Sequence, residues 1–131
     1  MNERPHSTTK TTTGTTGALG ESYAARCLNE RGYTILASNF RTRFGEVDII
    51  AADGTYLCFV EVKTRGETML VRPMEAVTFT KQRRICLAAA EYLSRHDLDL
   101  QPRFDVLEIY LDAAGDLLKS NLIENAFESV I

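Results

Sequence analysis

Residues 46–63 read Glu-Val-Asp-Ile-Ile-Ala-Ala-Asp-Gly-Thr-Tyr-Leu-Cys-Phe-Val-Glu-Val-Lys, two apolar runs on either side of Asp53-Gly54. Apolar runs rich in β-branched and aromatic residues and joined by Asp-Gly predict a β-hairpin with a type I′ turn. With a two-residue loop, Ala52 pairs with Thr55, Asp48 lies opposite Phe59 and Glu46 lies opposite Glu61. Directly opposed residues, and residues two apart on one strand, point to the same face. Asp48, Glu61 and Lys63 therefore share a face. A four-residue loop keeps that parity, whereas an odd loop or a bulge breaks it.

Acids inside hydrophobic strands need a physical reason. An ionised carboxylate left alone in a core is very costly, so it pairs, protonates or binds a metal. In this register Asp48 and Glu61 are diagonal neighbours, about 7–8 Å apart at the backbone, and their oxygens can converge on one ion. A hard cation such as Mg²⁺, with Mn²⁺ as a substitute, takes one or two protein carboxylates and keeps water or phosphate oxygens in its other positions. It acidifies a bound water and offsets charge on a phosphate. Lys63 is placed to hold the attacking water or to stabilise the developing charge, and Glu21 is a candidate third acid. The competing reading is an internal salt-bridge network of Asp48, Glu61 and Lys63. Glu46 reads as a strand-edge surface residue. His6 and His96 have no partner at zinc-ligand spacing, and no P-loop, Ser-His-Asp motif or dinucleotide fingerprint is present.

Outward from the hairpin, Thr16 or Gly17 starts a helix that runs to Arg31, with Leu19, Ala24, Cys27 and Leu28 as its apolar stripe and Gly32 as its stop. Glu21 shares or borders that packed face. Tyr33–Ser38 reads as a strand and Asn39–Phe44 as a basic connection. Residues 64–72 read as a polar loop, and Pro73–Val77 as a short helical turn. Thr80 is the expected cap of a helix from Lys81 to about Arg95, with Ile85, Ala88, Ala89, Tyr92 and Leu93 inward. Lys81, Arg83 and Arg84 fall in its first turn, where the macrodipole opposes cations by ~0.3–1 kcal/mol each. Either something else requires them there or they are solvated surface side chains. Strands are expected over Arg103–Asp112 and Leu117–Ile123. The order is α-β-β-β-α-β-β, an α/β fold with a mixed sheet flanked by helices. Residues 1–16, rich in threonine, are expected to be a disordered tail, leaving one domain over 17–131.

The chain has 131 residues, a net charge of −3 and 44% hydrophobic residues. Its pI is near 5.4, which argues against a strongly basic nucleic-acid binder. By region the picture differs. Residues 1–40, 41–84 and 85–131 carry +1, +2 and −6, so the middle is basic although it holds the acids in question. The three cysteines, Cys27, Cys58 and Cys86, are expected to be reduced and buried. With neither a membrane-spanning run nor a secretory h-region, a soluble cytoplasmic protein with no membrane partner is expected.

The blocks Gly20-Glu21, Gly32-Tyr33, Asn39-Phe40-Arg41, Gly45-Glu46-Val47-Asp48-Ile49-Ile50 and Phe59-Val60-Glu61-Val62-Lys63-Thr64-Arg65 form an ordered series. Ala76-Val77, Lys81, Arg84, Ala90-Glu91-Tyr92-Leu93, Arg103-Phe104-Asp105-Val106 and Asn125-Ala126-Phe127 continue it. In these blocks the chain resembles the small bacterial YraN-type proteins, which are similar to archaeal Holliday-junction resolvases. The resemblance covers essentially everything after residue 16. It implies a restriction-endonuclease-like fold with a PD-(D/E)-x-K site, in which Glu21, Asp48, Glu61 and Lys63 are catalytic and Asp48, Glu61, Glu21 and the Val62 carbonyl hold the metal. Val47 stands where that motif has proline, a departure the family shares. It further implies Mg²⁺, a nucleic-acid partner, DNA first, and a homodimer. Arg41, Arg43, Arg65, Lys81, Arg83 and Arg84 form the expected basic rim. Activity does not follow from fold. A metal-dependent nuclease on branched DNA therefore competes with a non-catalytic nucleic-acid-binding accessory and with a protein-interaction module built on the acidic C-terminal third.

Overall fold

The structure, a computed structural model, describes residues 14–66 and 77–131. The elements are α1 (Gly14–Glu30), β1 (Thr34–Arg41), β2 (Glu46–Ala52), β3 (Tyr56–Gly66), α2 (Phe79–Arg95), β4 (Gln101–Leu111) and β5 (Leu117–Ile123). The five strands form one sheet in sequence order. β1, β2 and β3 are antiparallel neighbours, β3 and β4 are parallel with α2 as their crossover, and β5 returns antiparallel. This is the expected order of elements.

Each helix covers one face. Ala24, Cys27 and Leu28 of α1 pack on Ile49, Cys58, Val60, Leu107 and Ile109. Ile85, Ala88, Ala89 and Tyr92 of α2 pack on Val47, Ile50, Leu57, Phe59 and Val106. A parallel pair such as β3/β4 requires this double cover, which is why its residues are apolar on both sides. Cys27, Cys58 and Cys86 are all buried free thiols.

Several boundaries differ from expectation. α1 begins at Gly14 rather than Thr16 or Gly17, since the first-turn N–H groups of a helix need no internal partner and weak helix formers are tolerated there. The hairpin turn is shifted by one residue. Asp53 N donates to Tyr56 O (3.1 Å), and Asp53 Oδ1 accepts from Thr55 N (2.8 Å) and Tyr56 N (2.7 Å). These two bonds hold the Asp53 carboxyl below its ordinary range. Gly54 is not among the positive-φ glycines, so the Asp53 side chain, not a type I′ backbone, closes the turn. β1 continues past Ser38 to Arg41 with Asn39 at φ 52°, and β3 runs through the segment expected to open the polar loop, as far as Gly66. Thr78, not Thr80, caps α2, its hydroxyl accepting from Lys81 N at 3.1 Å. Leu93 is exposed, although it follows Ala89 by four residues and Cys86 by seven and so shares their face of α2. β4 starts at Gln101, whose N–H bonds Thr55 O at 2.9 Å; Pro102 thus sits at a strand start, where a missing donor is tolerated. Of the tail expected over 1–16, residues 14–16 belong to α1 and 1–13 lie outside the described residues, as do 67–72 of the expected polar loop and all but Val77 of the turn expected over Pro73–Val77.

On the α1 face, away from the acidic hairpin, Arg103 is buried against Asp105. Its Nε lies 2.9 Å from Asp105 Oδ1 and its Nη2 2.6 Å from Tyr33 OH. Asn125 N also donates to Asp105 Oδ1, at 2.9 Å. Burial, reinforced by the Asp105 charge, pushes the Cys58 thiol up from an ordinary 9.0 to about 12. The unfolded chain ionises Cys58 from about pH 9 while the native state keeps the proton, so this group's contribution to stability is lost as pH rises from about 9 towards 12. Native protein at pH 8.5 should leave Cys58 unmodified by iodoacetamide, and Cys58→Ala should flatten the alkaline fall in the urea midpoint. Rapid native labelling at Cys58 contradicts this.

The loop joining β1 to β2 is fastened to α2. A Cβ on Gly45 would overlap Arg84 O and lie 2.6 Å from Arg84 C, so only glycine allows this approach. Gly54, by contrast, has nothing within 4 Å. Gly45→Ala is expected to cost about 1–3 kcal/mol in urea unfolding, the usual range for overpacking, and Gly54→Ala less than about 0.5 kcal/mol, as for other surface changes. Equal costs would refute the close approach.

Candidate metal and nucleic-acid site

The register Ile49↔Val60 through Ala52↔Leu57 sets Asp48 beside Glu61 one step further along. The turn shift moved both strands by one residue, so parity survives; Glu46 pairs with Arg41, and Glu61 is the carboxylate beside Lys63. Asp48 is 2% exposed and Glu61 4%. Beyond Ile49 the alternation of β2 breaks. Val47 packs towards α2 although Ile49 packs towards α1. Across β1, Asn39 lies between the pairs Ser38↔Ile49 and Phe40↔Val47, with its left-handed backbone opposite Asp48. This paired distortion turns the Asp48 carboxylate towards β3, where Oδ2 accepts from Val62 N at 2.8 Å.

Glu61 points to the α2 face. Its Oε2 lies 3.3 Å from Lys81 Nζ and 4.0 Å from Lys63 Nζ. The first-turn cation that costs α2 stability is thus the counterion of a buried carboxylate. Lys63 and Lys81 are both partly exposed, so their charges border solvent as well as Glu61. Glu21 is partly exposed on α1. Its neighbour Gly20 abuts Thr64, a Cβ on Gly20 lying 3.1 Å from Thr64 Cβ, which seats Glu21 over the far end of β3. Among the described residues, no three His, Cys, Asp or Glu side chains are grouped so as to hold a metal. The hairpin therefore brings Asp48, Glu61 and Lys63 to one sheet end, while Glu21 stands on the helix above it.

Of the expected basic rim, Arg41 binds Glu46 (3.1 Å) and Arg65 lies 3.7 Å from Glu108. Arg43 covers the Phe44 ring at 5.6 Å, and Arg83 and Arg84 are exposed on α2. Sequence reasoning missed Glu108. It is 3% exposed, pairs with Lys63 in the β3/β4 register, and accepts from Tyr110 OH (3.1 Å) and Asn121 Nδ2 (3.0 Å). The signal was present: Val106-Leu107-Glu108-Ile109 is another acid in an apolar strand. His96 stacks on Tyr92, ring centroids 4.0 Å apart.

The donor chemistry fits Mg²⁺ in kind: hard carboxylate oxygens on adjacent strands at a sheet end bordered by cations, as a phosphate-bearing ligand requires. A mixed α/β sheet with buried acids at the end of its central hairpin is the class that this geometry defines. Residues 20–109 match the profile of the uncharacterised protein family UPF0102. The chain is 43% identical over 113 residues to a UPF0102 protein of Clostridium kluyveri, covering 86% of this chain and 93% of that one. It is 45% identical over 112 residues to one of Caldicellulosiruptor saccharolyticus (85% and 95%), and 54% over 98 residues to one of Rhodococcus opacus (72% and 81%). The chain belongs to this family. Among the described residues, no helix is long and apolar enough to cross a membrane.

Lys81→Met removes the nearer counterion of Glu61 and should cost about 1–3 kcal/mol, the penalty of an undercompensated buried acceptor. Arg83→Met, on the exposed side of the same turn, should change stability by less than about 0.5 kcal/mol. Chemical denaturation of both variants checks this; equal effects would mean that the Lys81–Glu61 contact carries no energy.

Proposed function

We propose that the protein is a divalent-metal-dependent nuclease that cuts phosphodiester bonds in structured or branched DNA. The observation that carries this reading is the burial of Asp48 and Glu61 at one sheet end, with a backbone N–H on one and two lysines on the other. A core acid serving stability alone is seldom worth its desolvation, since an apolar residue of similar volume does as well or better. In this reading Asp48 and Glu61 hold the ion, with the Val62 carbonyl and Glu21 as further oxygen donors. A bound Mg²⁺ would acidify water and offset charge on the phosphate. The Val62 N–H fixes Asp48 in rotation. Lys63, partly exposed and only 4.0 Å from Glu61, orients water or stabilises the leaving charge. Arg41, Arg43, Arg65, Lys81, Arg83 and Arg84 supply backbone phosphate contacts, which position the substrate without reading sequence.

A second reading is favoured by one observation: Lys81 and Lys63 already balance Glu61 within the protein. That suits a non-catalytic accessory which binds nucleic acid on the same fold. The two separate cleanly. Purified protein with Mg²⁺ or Mn²⁺ should nick four-way junctions, flaps or single strands, and EDTA should stop it. Asp48→Asn and Lys63→Met should lower the rate at least about 100-fold, as expected when a metal ligand or a charge-stabilising group is lost, while leaving binding within a few-fold. Undiminished cutting by Asp48→Asn, or no cutting of any substrate with either metal, overturns the nuclease reading. Metal-independent, salt-sensitive binding without cutting is the accessory's result.

A further inference from the structure

Phe44 and Phe79 are the most exposed large apolar side chains among the described residues, at 61% and 65%. They come from different elements, Phe44 from the β1–β2 loop and Phe79 from the first position of α2. Gly45, next to Phe44, lies against the backbone of Arg84. Phe79 precedes Arg84 by five residues, about 7.5 Å along a helix axis. The two elements that carry these rings therefore meet at one corner of the molecule. That corner adjoins the acidic pair, because Lys81, two residues after Phe79, reaches Glu61, and Gly45 leads directly into β2 towards Asp48.

Three arginines stand there beside the Arg41–Glu46 pair. Arg43 sits over the Phe44 ring, and Arg83 and Arg84 are exposed. None of the three has a carboxylate partner among the described residues. Single exposed apolar residues need no explanation. Two exposed phenyl rings from separate elements, with three guanidinium groups that have no carboxylate partner among the described residues, call for a ligand that is anionic and also has flat apolar faces. Single-stranded nucleic acid is such a ligand: its phosphates meet the cations and its bases stack on the rings. A continuous duplex is not, because its bases already stack on each other.

We propose that Phe44 and Phe79 form a stacking site for unpaired bases, with Arg43, Arg83 and Arg84 on the adjoining phosphates. It deepens the nucleic-acid reading above and rests on it. The substrate class becomes DNA or RNA with unpaired bases beside the phosphate that meets Asp48 and Glu61, as at a flap or an opened branch point.

The chain contains no tryptophan, so Phe44→Trp and Phe79→Trp each create a single fluorophore at the site. Each full-length variant is titrated in EDTA with a labelled 12-nucleotide single strand, a flapped duplex and a blunt duplex. Binding is read by anisotropy of the label and stacking by tryptophan emission. The expected result is strong quenching by the single strand and the flap and little by the blunt duplex. Phe44→Ala and Phe79→Ala, with melting temperatures within a few degrees of wild type, should each weaken single-strand binding about tenfold and leave blunt-duplex binding within twofold. The proposal is overturned if single strands bind with unchanged emission, or if the alanine variants weaken strand and duplex alike. A blue shift with phosphatidylglycerol vesicles and none with oligonucleotides also overturns it, and makes the corner a membrane contact. If wild-type protein binds no nucleic acid at all, the function proposed above falls with it. If quenching occurs but no substrate is ever cut, the stacking site stands and the nuclease assignment alone fails.

Discussion

The hydrogen bond from Val62 N to the Asp48 carboxylate, 2.8 Å across β2 and β3, is the constraint on which the sheet end depends. In the antiparallel ladder, hydrogen-bonded pairs alternate. With Asp53 bonded to Tyr56 and this register, a continued ladder would give Val62 N to the Val47 carbonyl. The side chain takes that place. β2 is thereby released from its alternation, Val47 swings to the α2 face, and Asn39 in β1 accommodates the turn with a left-handed backbone. An acid is thus held at the surface of the core without being lost in it.

The rest of the corner follows from that release. β2, at the end where it parts from β3, is preceded by the Thr42–Gly45 loop, where Thr42 Oγ1 accepts from Phe44 N and Gly45 N, both at 3.1 Å. That loop abuts α2 through Gly45, and α2 in turn delivers Lys81 to Glu61. Cations in the first turn of a helix oppose its dipole. Here one of them is the counterion of a buried carboxylate, so the local cost is offset by an interaction in the fold. Arg103 and Asp105 show the alternative arrangement on the α1 face, a buried pair closed by Tyr33 and Asn125 with the Cys58 thiol beside it.

Much of this was legible in residues 46–63, because strand parity tolerates a shift of the turn that moves both strands equally. Asp53-Gly54 suggested the turn one residue too early; the Asp53 side chain, rather than a positive φ at Gly54, closes it. The end of β1 was hidden for a related reason, since Asn39-Phe40-Arg41 has the composition of a connection yet pairs through to Glu46. Thr78 and Thr80 are equivalent by type, and only backbone geometry selects the cap. The acids were visible as charges in apolar strands, and Glu108 would have been found by applying that test to β4. The pairing of Lys81 with Glu61 joins residues twenty apart across a crossover and has no local signature.

Metal-dependent chemistry at this sheet end requires that Asp48 and Glu61 be a cation site and not a closed ion-pair network. Isothermal titration of the nucleic-acid-free protein with Mn²⁺ tests this most directly. Saturable binding to wild type that is lost in both Asp48→Asn and Glu61→Gln, with each variant folded, is the predicted result. Absence of binding to wild type, or binding that persists in both variants, would contradict it.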